Sequence, residues 1–270
     1  MKSSYYYALK PPSISLDTVK TKALIRQIFN DSKHSAGARS IAAIMMNKHG
    51  IKLTRYMAAK IMAQMGLKSC QLKTHKYKHA DEAHKTHENL LDRNFSPTAP
   101  NQVWTGDVTY IRIKSGWCYL AIVLDLYARR IVGFAISDSS NSVLTAKALQ
   151  MAYHSRLKPI GVLFHSDQGT HYTSKKFAES VTSCEGMTQS MSRRGNCWDN
   201  APTERFFRSF KTEWMPKGGY EDIVEAKSAI IDYIWGYYQT VRPHSFNDYL
   251  PPAEKEKRYF NQSLLSVVLN

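Results

Sequence analysis

The sequence predicts a mixed α/β catalytic domain preceded by a small all-α module. Residues 17–66 repeat apolar side chains at the spacing of helices. Residues 103–137 change to β-branched and aromatic runs separated by short turns, which is typical of paired strands. From residue 141 onward, helical and strand patterns alternate, as they do in α/β proteins. A chain of 270 residues is long enough for one large and one small domain.

The charge of the chain indicates a polyanionic partner. With 37 Lys and Arg against 22 Asp and Glu, the formal net charge is +15, and such an excess favours nucleic acid. Residues 1–100 hold 17 basic and 6 acidic side chains, whereas residues 101–270 hold 20 and 16. We therefore expect bulk attraction to DNA in the first part and a site that needs carboxylates in the second. A basic surface that only aids solubility is the alternative.

Neither a secretory signal nor a membrane span is predicted. The start MKSSYYYALKPP lacks an apolar signal-peptide core. The most apolar stretch, residues 119–136, is interrupted by Asp125, Arg129 and Arg130, so it cannot span a bilayer. The cysteines are scattered and never form Cys-x-x-Cys, which indicates reduced thiols in a cytosolic protein. They are Cys70, Cys118, Cys184 and Cys197.

An arm at residues 1–16 and three helices are predicted in the N-terminal module, residues 1–66. Asp17 can cap the first helix, which runs to about residue 30. The second helix spans about residues 36–47 and ends before Gly50.

The third predicted helix follows Thr54, which can cap it, and ends at Gly66. Met57, Ile61 and Met65 form its expected inward stripe. Two short helices around a tight turn are typical of a helix-turn-helix, and a plain three-helix packing module is the alternative. The basic charge favours DNA binding, through outward side chains of the last helix. Those side chains are Arg55, Lys60 and Gln64.

Residues 67–102 are predicted to form a basic, His-rich connector. Pro97 and Pro100 disfavour helix there, so the domain boundary is placed near residue 100. The histidines lie in a Lys-rich stretch with only Cys70 nearby, so a four-ligand zinc site is poorly supplied and a basic linker is the preferred interpretation. They are His75, His79, His84 and His87.

The catalytic domain is predicted at residues 103–240, followed by a tail at 241–270. It opens on three antiparallel strands, at residues 103–113, 117–125 and 130–137. The elements expected after them are a helix at 141–156, a strand at 161–164, a helix at 174–184, a strand at 187–191, a helix at 200–216 and a helix at 221–239 with the stripe Ile230, Ile231 and Ile234. This order is that of an RNase H-like fold.

Three acidic residues of this domain are the candidate catalytic and metal-binding residues. Phosphodiester chemistry without a covalent intermediate needs an activated nucleophile and a neutralised leaving oxygen, which two divalent cations about 4 Å apart supply. Hard cations of the magnesium type prefer carboxylate oxygens. The chain must therefore bring carboxylates together from distant positions. The candidates are Asp107, Asp167 and Glu204.

Each candidate occupies a position suited to a ligand and also has a structural interpretation. Asp107 lies mid-strand, where an ionised carboxylate is costly unless it is paired or metal-bound, and a salt-bridged Asp is the alternative. Asp167 follows an apolar strand, where α/β sheets place ligands, and helix capping is the alternative. Glu204 shares a helix face with Arg208 and Lys211, and a solvated Glu–Arg pair is the alternative.

Two other acidic residues are interpreted as structural. Asp125 ends the second strand, where a salt bridge with Arg129 or Arg130 at the hairpin corner explains it. Asp199 or Asn200 can cap the helix that follows, so Asp199 is interpreted as a cap and not as a metal ligand.

The segments around the three carboxylates closely resemble the catalytic motifs of bacterial insertion-sequence transposases of family three. The segments are VWTGDVTYI, HSDQGTHYTS and SMSRRGNCWDNAPTERFFRSFKTEW. The resemblance continues in YYQTVRPHSFNDYLPPAEKEK and covers almost the whole chain. It implies a retroviral-integrase-like core in which Asp107, Asp167 and Glu204 form the Asp-Asp-Glu triad and hold two Mg²⁺ or Mn²⁺ ions. The interval between Asp167 and Glu204 is one residue longer than the family's usual spacing.

The resemblance implies a transposase that cleaves DNA with water and then joins a 3′-hydroxyl to a new phosphodiester. Lys211 matches a basic position that the family places near its DNA ends. The other expected DNA contacts are Arg193, Arg194 and Arg208, besides Arg55 and Lys60 of the module. A catalytically inert DNA-binding regulator and an RNase H-like nuclease that only hydrolyses are the alternatives.

The partners that the resemblance implies are double-stranded DNA, as element ends and as target, and further copies of the chain on that DNA. The chain is similar to the product of the downstream reading frame alone. A protein encoded by the upstream frame, or a frameshift fusion with it, is therefore also expected. The expected location is the bacterial cytoplasm, in association with the nucleoid and away from membranes.

Overall fold

The computed structural model describes residues 16–70, 87–193 and 197–268. They belong to two compact units, of which the first ends at Cys70 and the second begins at Gln71. Three sets of predictions lie outside the described residues: the arm at 1–15, the histidines at 75, 79 and 84, and the DNA contact Arg194. No helix among the described residues is long and apolar enough to cross a membrane.

The first unit consists of the three predicted helices, namely α1 (Leu16–Asp31), α2 (Ala38–His49) and α3 (Arg55–Gln64). Gly50 ends α2 in the left-handed conformation, with φ 65°, which glycine adopts without a steric penalty. Thr54 caps α3 as predicted, since its hydroxyl accepts a 3.2 Å hydrogen bond from the backbone N–H of Met57. These local signals set the ends of the helices.

The predicted inward stripe of α3 is wrong by one position. Met57 is 51% exposed, and the buried residues of the helix are Ala58 and Met62. One residue corresponds to a rotation of about 100° about the helix axis. Both stripes are apolar in sequence, so periodicity alone permits either one, and packing within the module selects the stripe with the small Ala58. The expected outward side chains, Arg55, Lys60 and Gln64, are exposed.

A five-stranded mixed sheet forms the centre of the second unit, with the strand order β3-β2-β1-β4-β5. The strands are β1 (Val103–Ile113), β2 (Gly116–Asp125), β3 (Arg130–Ser137), β4 (Leu163–Ser166) and β5 (Thr188–Met191). The first three form the predicted antiparallel meander, while β4 pairs in parallel with β1 and with β5. An antiparallel meander continued by parallel strands confirms the RNase H-like prediction.

Helices connect and cover these strands in the predicted order. They are α4 (Ser142–Ser155), α5 (Thr170–Thr173), α6 (Lys175–Thr182), α7 (Ala201–Glu213), α8 (Ile223–Ile231) and α9 (Pro252–Val268). A π-helical segment, Asp232–Tyr238, continues α8. The predicted stripe of this last stretch is wrong at Ile231, which is 47% exposed while Ile230 and Ile234 are buried. Consecutive helical residues point about 100° apart, so Ile230 and Ile231 cannot both face one core.

Two hydrophobic clusters cover the two faces of the sheet. On one face, Ile111 of β1 packs with Phe206 and Phe210 of α7. On the other, Trp104 of β1 packs with residues of α4 and β4. Successive strand residues point to opposite faces, so Asp107, which has the parity of Ile111, belongs to the face covered by α7.

The predicted salt bridge of Asp125 with Arg129 or Arg130 is wrong. The buried carboxylate of Asp125 accepts hydrogen bonds from the backbone N–H groups of Asn101 and Tyr127, at 2.7 and 2.9 Å. These backbone donors come from the residues that flank the end of β2, and a pattern of charged side chains does not reveal them.

The arginine that approaches Asp125 is Arg156, at 3.8 Å. Arg130 and Arg156 both pair with Glu256 of α9, at 2.8 and 2.5 Å. Glu256 is buried, so two ion pairs hold α9, which lies in the predicted tail, to the core.

Candidate active site

The register of two parallel strands sets Asp107 beside Asp167. The pairing of β1 with β4 aligns Trp104 with Phe164 and Thr105 with His165. Continued by two residues, the same register aligns Asp107 with Asp167, and neighbouring strands lie about 4.8 Å apart. Asp107 is partly buried within β1, and Asp167 follows the last residue of β4 and is exposed. The two predicted carboxylates therefore meet at the end of β4.

The first turn of α7 brings Glu204 to the same strand. Thr203, the residue before Glu204, has its hydroxyl oxygen 2.7 Å from that of Thr105 in β1. The Asn200 side chain donates to the backbone carbonyl of Gly106 at 3.1 Å. These contacts tie the residues that precede Glu204 to the residues that precede Asp107.

The charges of Asp167 and Glu204 both act on Asp107. Burial raises the pKa of Asp107 well above its usual range, repulsion from Asp167 and Glu204 raises it further, and the N–H of Val108 and the Lys211 ammonium oppose the rise. Loss of solvation also raises the pKa of Asp167, against the N–H of Gly169 and the charge of His171. Carboxylates that resist ionisation at the end of a strand are typical of functional sites.

The donor set fits a hard divalent cation, because carboxylate oxygens are the ligands such cations prefer. In the described part of the chain, however, no three His, Cys, Asp or Glu side chains are grouped so that they could hold a metal ion. One carboxylate oxygen of Asp107 accepts from the N–H of Val108 at 2.7 Å, and one of Asp167 accepts from the N–H of Gly169 at 3.0 Å. Local backbone donors thus orient these two carboxylates.

Lys211 reaches the carboxylates from the last turn of α7. It is partly buried. Burial lowers the pKa of its ammonium, and the negative charge of Asp107 opposes that shift. Arg208, one turn earlier, is also partly buried. Lys211 therefore adds positive charge to the site, whereas the DNA contacts predicted for Lys211 and Arg208 stay predictions.

The prediction of Asp199 as a helix cap is wrong, and no side chain caps α7. The Asp199 carboxylate, which is 0% exposed, instead accepts from Arg93 Nε at 2.7 Å and from Asn89 Nδ2 at 3.0 Å. It also accepts from the backbone N–H and the guanidinium of Arg193, at 2.9 to 3.2 Å. Asp199 thus joins residues 89–93 to the segment that leads into α7.

These bonds explain the acidity of Asp199. Desolvation raises the pKa of Asp199, but hydrogen bonds from Arg193 and Arg93 outweigh it and bring the pKa to about 2. Arg193 pairs in addition with Asp92 at 3.2 Å. The guanidinium of Arg193 therefore has protein partners, and its predicted contact with DNA phosphate stays a prediction.

Sequence reasoning missed two buried residues next to the carboxylates. His165 lies between the hydroxyls of Ser190 and Ser192, at 2.9 and 3.1 Å. Burial lowers the pKa of His165 to about 4, against the charge of Asp199, so the ring is neutral near pH 7. Ser190 in β5 and Ser192, directly after its end, are the sequence signal of this contact, since residues two apart in an extended segment point to the same side.

Tyr172 is the second residue that sequence reasoning missed. Burial raises its pKa well above the usual range, and the charges of Asp107 and Asp167 raise it further. A Cβ atom added at Gly106 would lie 3.2 Å from the Tyr172 hydroxyl and 2.5 Å from the Phe164 ring. Glycine at 106 therefore leaves the space that these rings fill beneath the site.

Comparison with known proteins assigns the chain to a family. Two family models, each described as an integrase core domain, match residues 97–197 and 185–252, and an HTH-like domain matches residues 17–75. The transposase for insertion sequence element IS904 of Lactococcus lactis is 36% identical over 86% of this chain and 92% of its own length. The putative transposase InsO for element IS911B of Escherichia coli is 43% identical over 62% of this chain and 83% of its own length. The chain belongs to the IS3-family transposases.

Two solved structures that are similar to this transposase contain retroviral proteins. The catalytic core domain of HTLV-2 integrase in complex with magnesium is 20% identical and matches 53% of the transposase and 89% of that chain, with a TM-score of 0.38. A simian T-cell lymphotropic virus intasome in complex with a PP2A regulatory subunit is 15% identical and matches 77% of the transposase and 67% of that chain, with a TM-score of 0.41.

Proposed function

We propose that this transposase cleaves DNA and joins the 3′-hydroxyl end to target DNA at two Mg²⁺ or Mn²⁺ ions held by Asp107, Asp167 and Glu204. The observation that carries the proposal is the parallel register of β1 and β4, which, continued by two residues from the pair Thr105 and His165, brings Asp107 level with Asp167. The raised pKa of Asp107, to which Asp167 and Glu204 both contribute, supports it. When bound, such ions supply an activated water or 3′-hydroxyl and stabilise the leaving oxygen.

The chain's own residues perform the remaining tasks in this proposal. The three carboxylates would bind the ions. Backbone N–H groups orient Asp107 and Asp167, and α7 carries Glu204. Lys211, whose ammonium is close enough to Asp107 to affect its pKa, and Arg208, which is partly buried one turn earlier on α7, would contact DNA phosphates. Fixed donors aimed at developing negative charge lower the barrier of phosphoryl transfer.

The DNA-binding part of the proposal uses the first unit. Its match to an HTH-like domain and the exposed Arg55 and Lys60 on α3 support contacts from α3 to the element ends. We further propose that copies of the chain assemble on two DNA ends. The product of the upstream reading frame would take part in this assembly, either as a separate protein or as a fusion with this chain. This assembly would work in the bacterial cytoplasm, on nucleoid DNA.

Strand transfer with Asp167→Asn tests the proposed mechanism. Asn keeps the shape but removes the charge, so we expect loss of joining at unchanged DNA affinity. Asp138→Asn is the control, because Asp138 is exposed on the loop after β3. The assay supplies a pre-cleaved 3′-hydroxyl end, target DNA and Mg²⁺, with products resolved on a sequencing gel. Full joining by Asp167→Asn would overturn the assignment.

The same assay separates the alternatives. Hydrolysis without joining by the parent chain would identify a nuclease. Binding of DNA without any metal-dependent nicking would identify an inert regulator. The match of all three catalytic segments to two integrase core domain models favours joining over either alternative.

A further inference from the structure

A closed ring of hydrogen bonds connects β1 to the beginning of α7. Thr105 and Thr203 place their hydroxyl oxygens 2.7 Å apart, and the Thr203 hydroxyl donates to the side-chain carbonyl of Asn200 at 2.9 Å. The Asn200 amide nitrogen donates to the carbonyl of Gly106 at 3.1 Å. Thr105 and Gly106 are consecutive in β1, so the ring closes on the strand.

The direction of each bond in the ring is determined. A hydroxyl donates one proton, and the proton of Thr203 is used on Asn200, whose carbonyl oxygen can only accept. Thr105 must therefore donate to Thr203. Each of the four groups depends on its neighbour, so removal of one hydroxyl leaves at least one buried partner unsatisfied.

The ring is buried. Thr105 and Thr203 are both 0% exposed and Asn200 is 3% exposed. Water cannot replace a lost partner there without opening the contact between β1 and α7. The ring therefore restrains the start of α7 against the strand.

Asn200 does not make the hydrogen bond that its position at the helix N-terminus favours. Asn is among the preferred residues at a helix N-cap, where its side chain accepts from the first turn. Asn200 stands at the N-cap of α7 and makes no such bond. Its side chain is used for Thr203 and Gly106 instead, so the contact across the two elements takes the place of the cap.

The ring lies next in sequence to two of the three candidate carboxylates, Asp107 and Glu204. On β1, Thr105 and Gly106 immediately precede Asp107, and on α7, Thr203 immediately precedes Glu204. We propose that Thr105, Asn200 and Thr203 are positioning residues that hold the first turn of α7 against β1, so that Glu204 can join Asp107 in binding a divalent cation. This inference rests on the proposed metal-binding role of the carboxylates and names the residues that set its geometry.

Metal binding by the full chain without DNA tests the inference. Thr203→Val keeps the side-chain shape and removes the hydroxyl, and Asn200→Ala removes the amide. Groups that orient metal ligands change metal affinity by about 10- to 100-fold when they are lost. The ring orients Glu204 through the backbone of α7 and not by a bond to its carboxylate, so we expect both variants to weaken Mn²⁺ binding by about tenfold, the lower end of that range, in calorimetric titration. Thr203→Ser, which keeps the hydroxyl, is expected to bind as the parent does.

Asn247→Ala is the matched control for Asn200→Ala. Asn247 is likewise buried and donates from Nδ2 to a backbone carbonyl, that of Ala128, but its partner is not next to a carboxylate ligand. Both alanine variants are expected to unfold at a lower temperature than the parent when a chelator keeps the protein free of metal. Only Asn200→Ala is expected to weaken Mn²⁺ binding.

The outcomes separate this inference from the proposed function. Parental Mn²⁺ affinity in Thr203→Val, together with lost binding in Asp107→Asn, would overturn the positioning role and leave the metal site standing. Equal weakening by Asn247→Ala would also overturn it, since the effect would then follow stability alone. Equal Mn²⁺ binding by the parent and Asp107→Asn would overturn the metal site and the inference with it.

Discussion

Replacing Asp199 by Asn is expected to destabilise the catalytic unit measurably. Asn preserves the shape of the side chain, but it removes the charge that attracts Arg93 and Arg193. It also replaces one acceptor oxygen by a donor, which then faces other donors. Because the carboxylate is 0% exposed, solvent cannot compensate for the lost bonds.

The magnitude follows from the acidity of Asp199. Its pKa is about 2, against about 3.9 for an unperturbed Asp, and the difference corresponds to roughly 2.5 kcal/mol. The guanidinium partners are 45% and 51% exposed, so solvent screening reduces the contribution to about 1–2 kcal/mol. For a unit of this size we expect the unfolding temperature to fall by about 2–8 °C.

The pH dependence of this contribution has a definite sign. A depressed folded-state pKa stabilises the protein above the unfolded pKa, and the stabilisation is lost as pH falls through the folded value. The difference between parent and Asp199→Asn is therefore expected at pH 7 and pH 5. It should shrink progressively below about pH 4, be small at the folded-state pKa of about 2 and vanish only below that pH.

Circular dichroism during heating, at several pH values, measures the effect. Asp92→Asn is the matched control, because Asp92 pairs with the same Arg193 but is 77% exposed. A surface pair of this kind contributes less than about 1 kcal/mol. An Asp199→Asn unfolding temperature equal to that of Asp92→Asn at pH 7 would refute the reasoning.

Three further predictions concern packing, burial and charge. Gly106→Ala is expected to lower stability by about 1–3 kcal/mol in urea unfolding, because its Cβ would lie 2.5 Å from Phe164; unchanged stability would contradict this packing. Glu256→Gln breaks two ion pairs of a buried carboxylate and is expected to lower the free energy of unfolding by about 3–5 kcal/mol. Glu254→Gln is the control, because it breaks an exposed pair and should lower that free energy by less than about 1 kcal/mol. Lys211→Gln is expected to reduce by about one the slope of log affinity against log salt for DNA, and an unchanged slope would exclude a phosphate contact.

Local signals predicted the elements of this chain closely. Thr54 caps α3 with a bond from a following N–H group, and Gly50 ends α2, both as predicted; each signal involves only a few neighbouring residues. The three strands of the meander also match their predicted ranges to within one residue. Caps, turns and period-2 runs act over short stretches, so they can be recognised in the sequence alone.

Partners chosen across the fold were predicted poorly. The sequence predicts partners close in sequence for Asp125 and Asp199, yet the arginine nearest to Asp125 is Arg156, and Asp199 pairs with Arg93. The inward side of α3 was wrong for the same reason, since two apolar stripes were available and only packing against another helix could select one. Long-range contacts depend on the summed packing of all elements, which no local pattern contains.

The sequence indicates the chemistry that we propose for this transposase. Acidic residues within strand, strand-end and helix patterns, in segments that resemble those of a transposase family, are recognisable as a candidate triad from side-chain type and spacing. How these residues are held follows from the fold. The parallel register of β1 and β4, continued by two residues, aligns Asp107 with Asp167, and the ring through Thr203 ties the first turn of α7, which carries Glu204, to β1. Side-chain types are local properties, whereas the distance between two carboxylates is set by strand pairing and buried hydrogen bonds that form only when the chain folds.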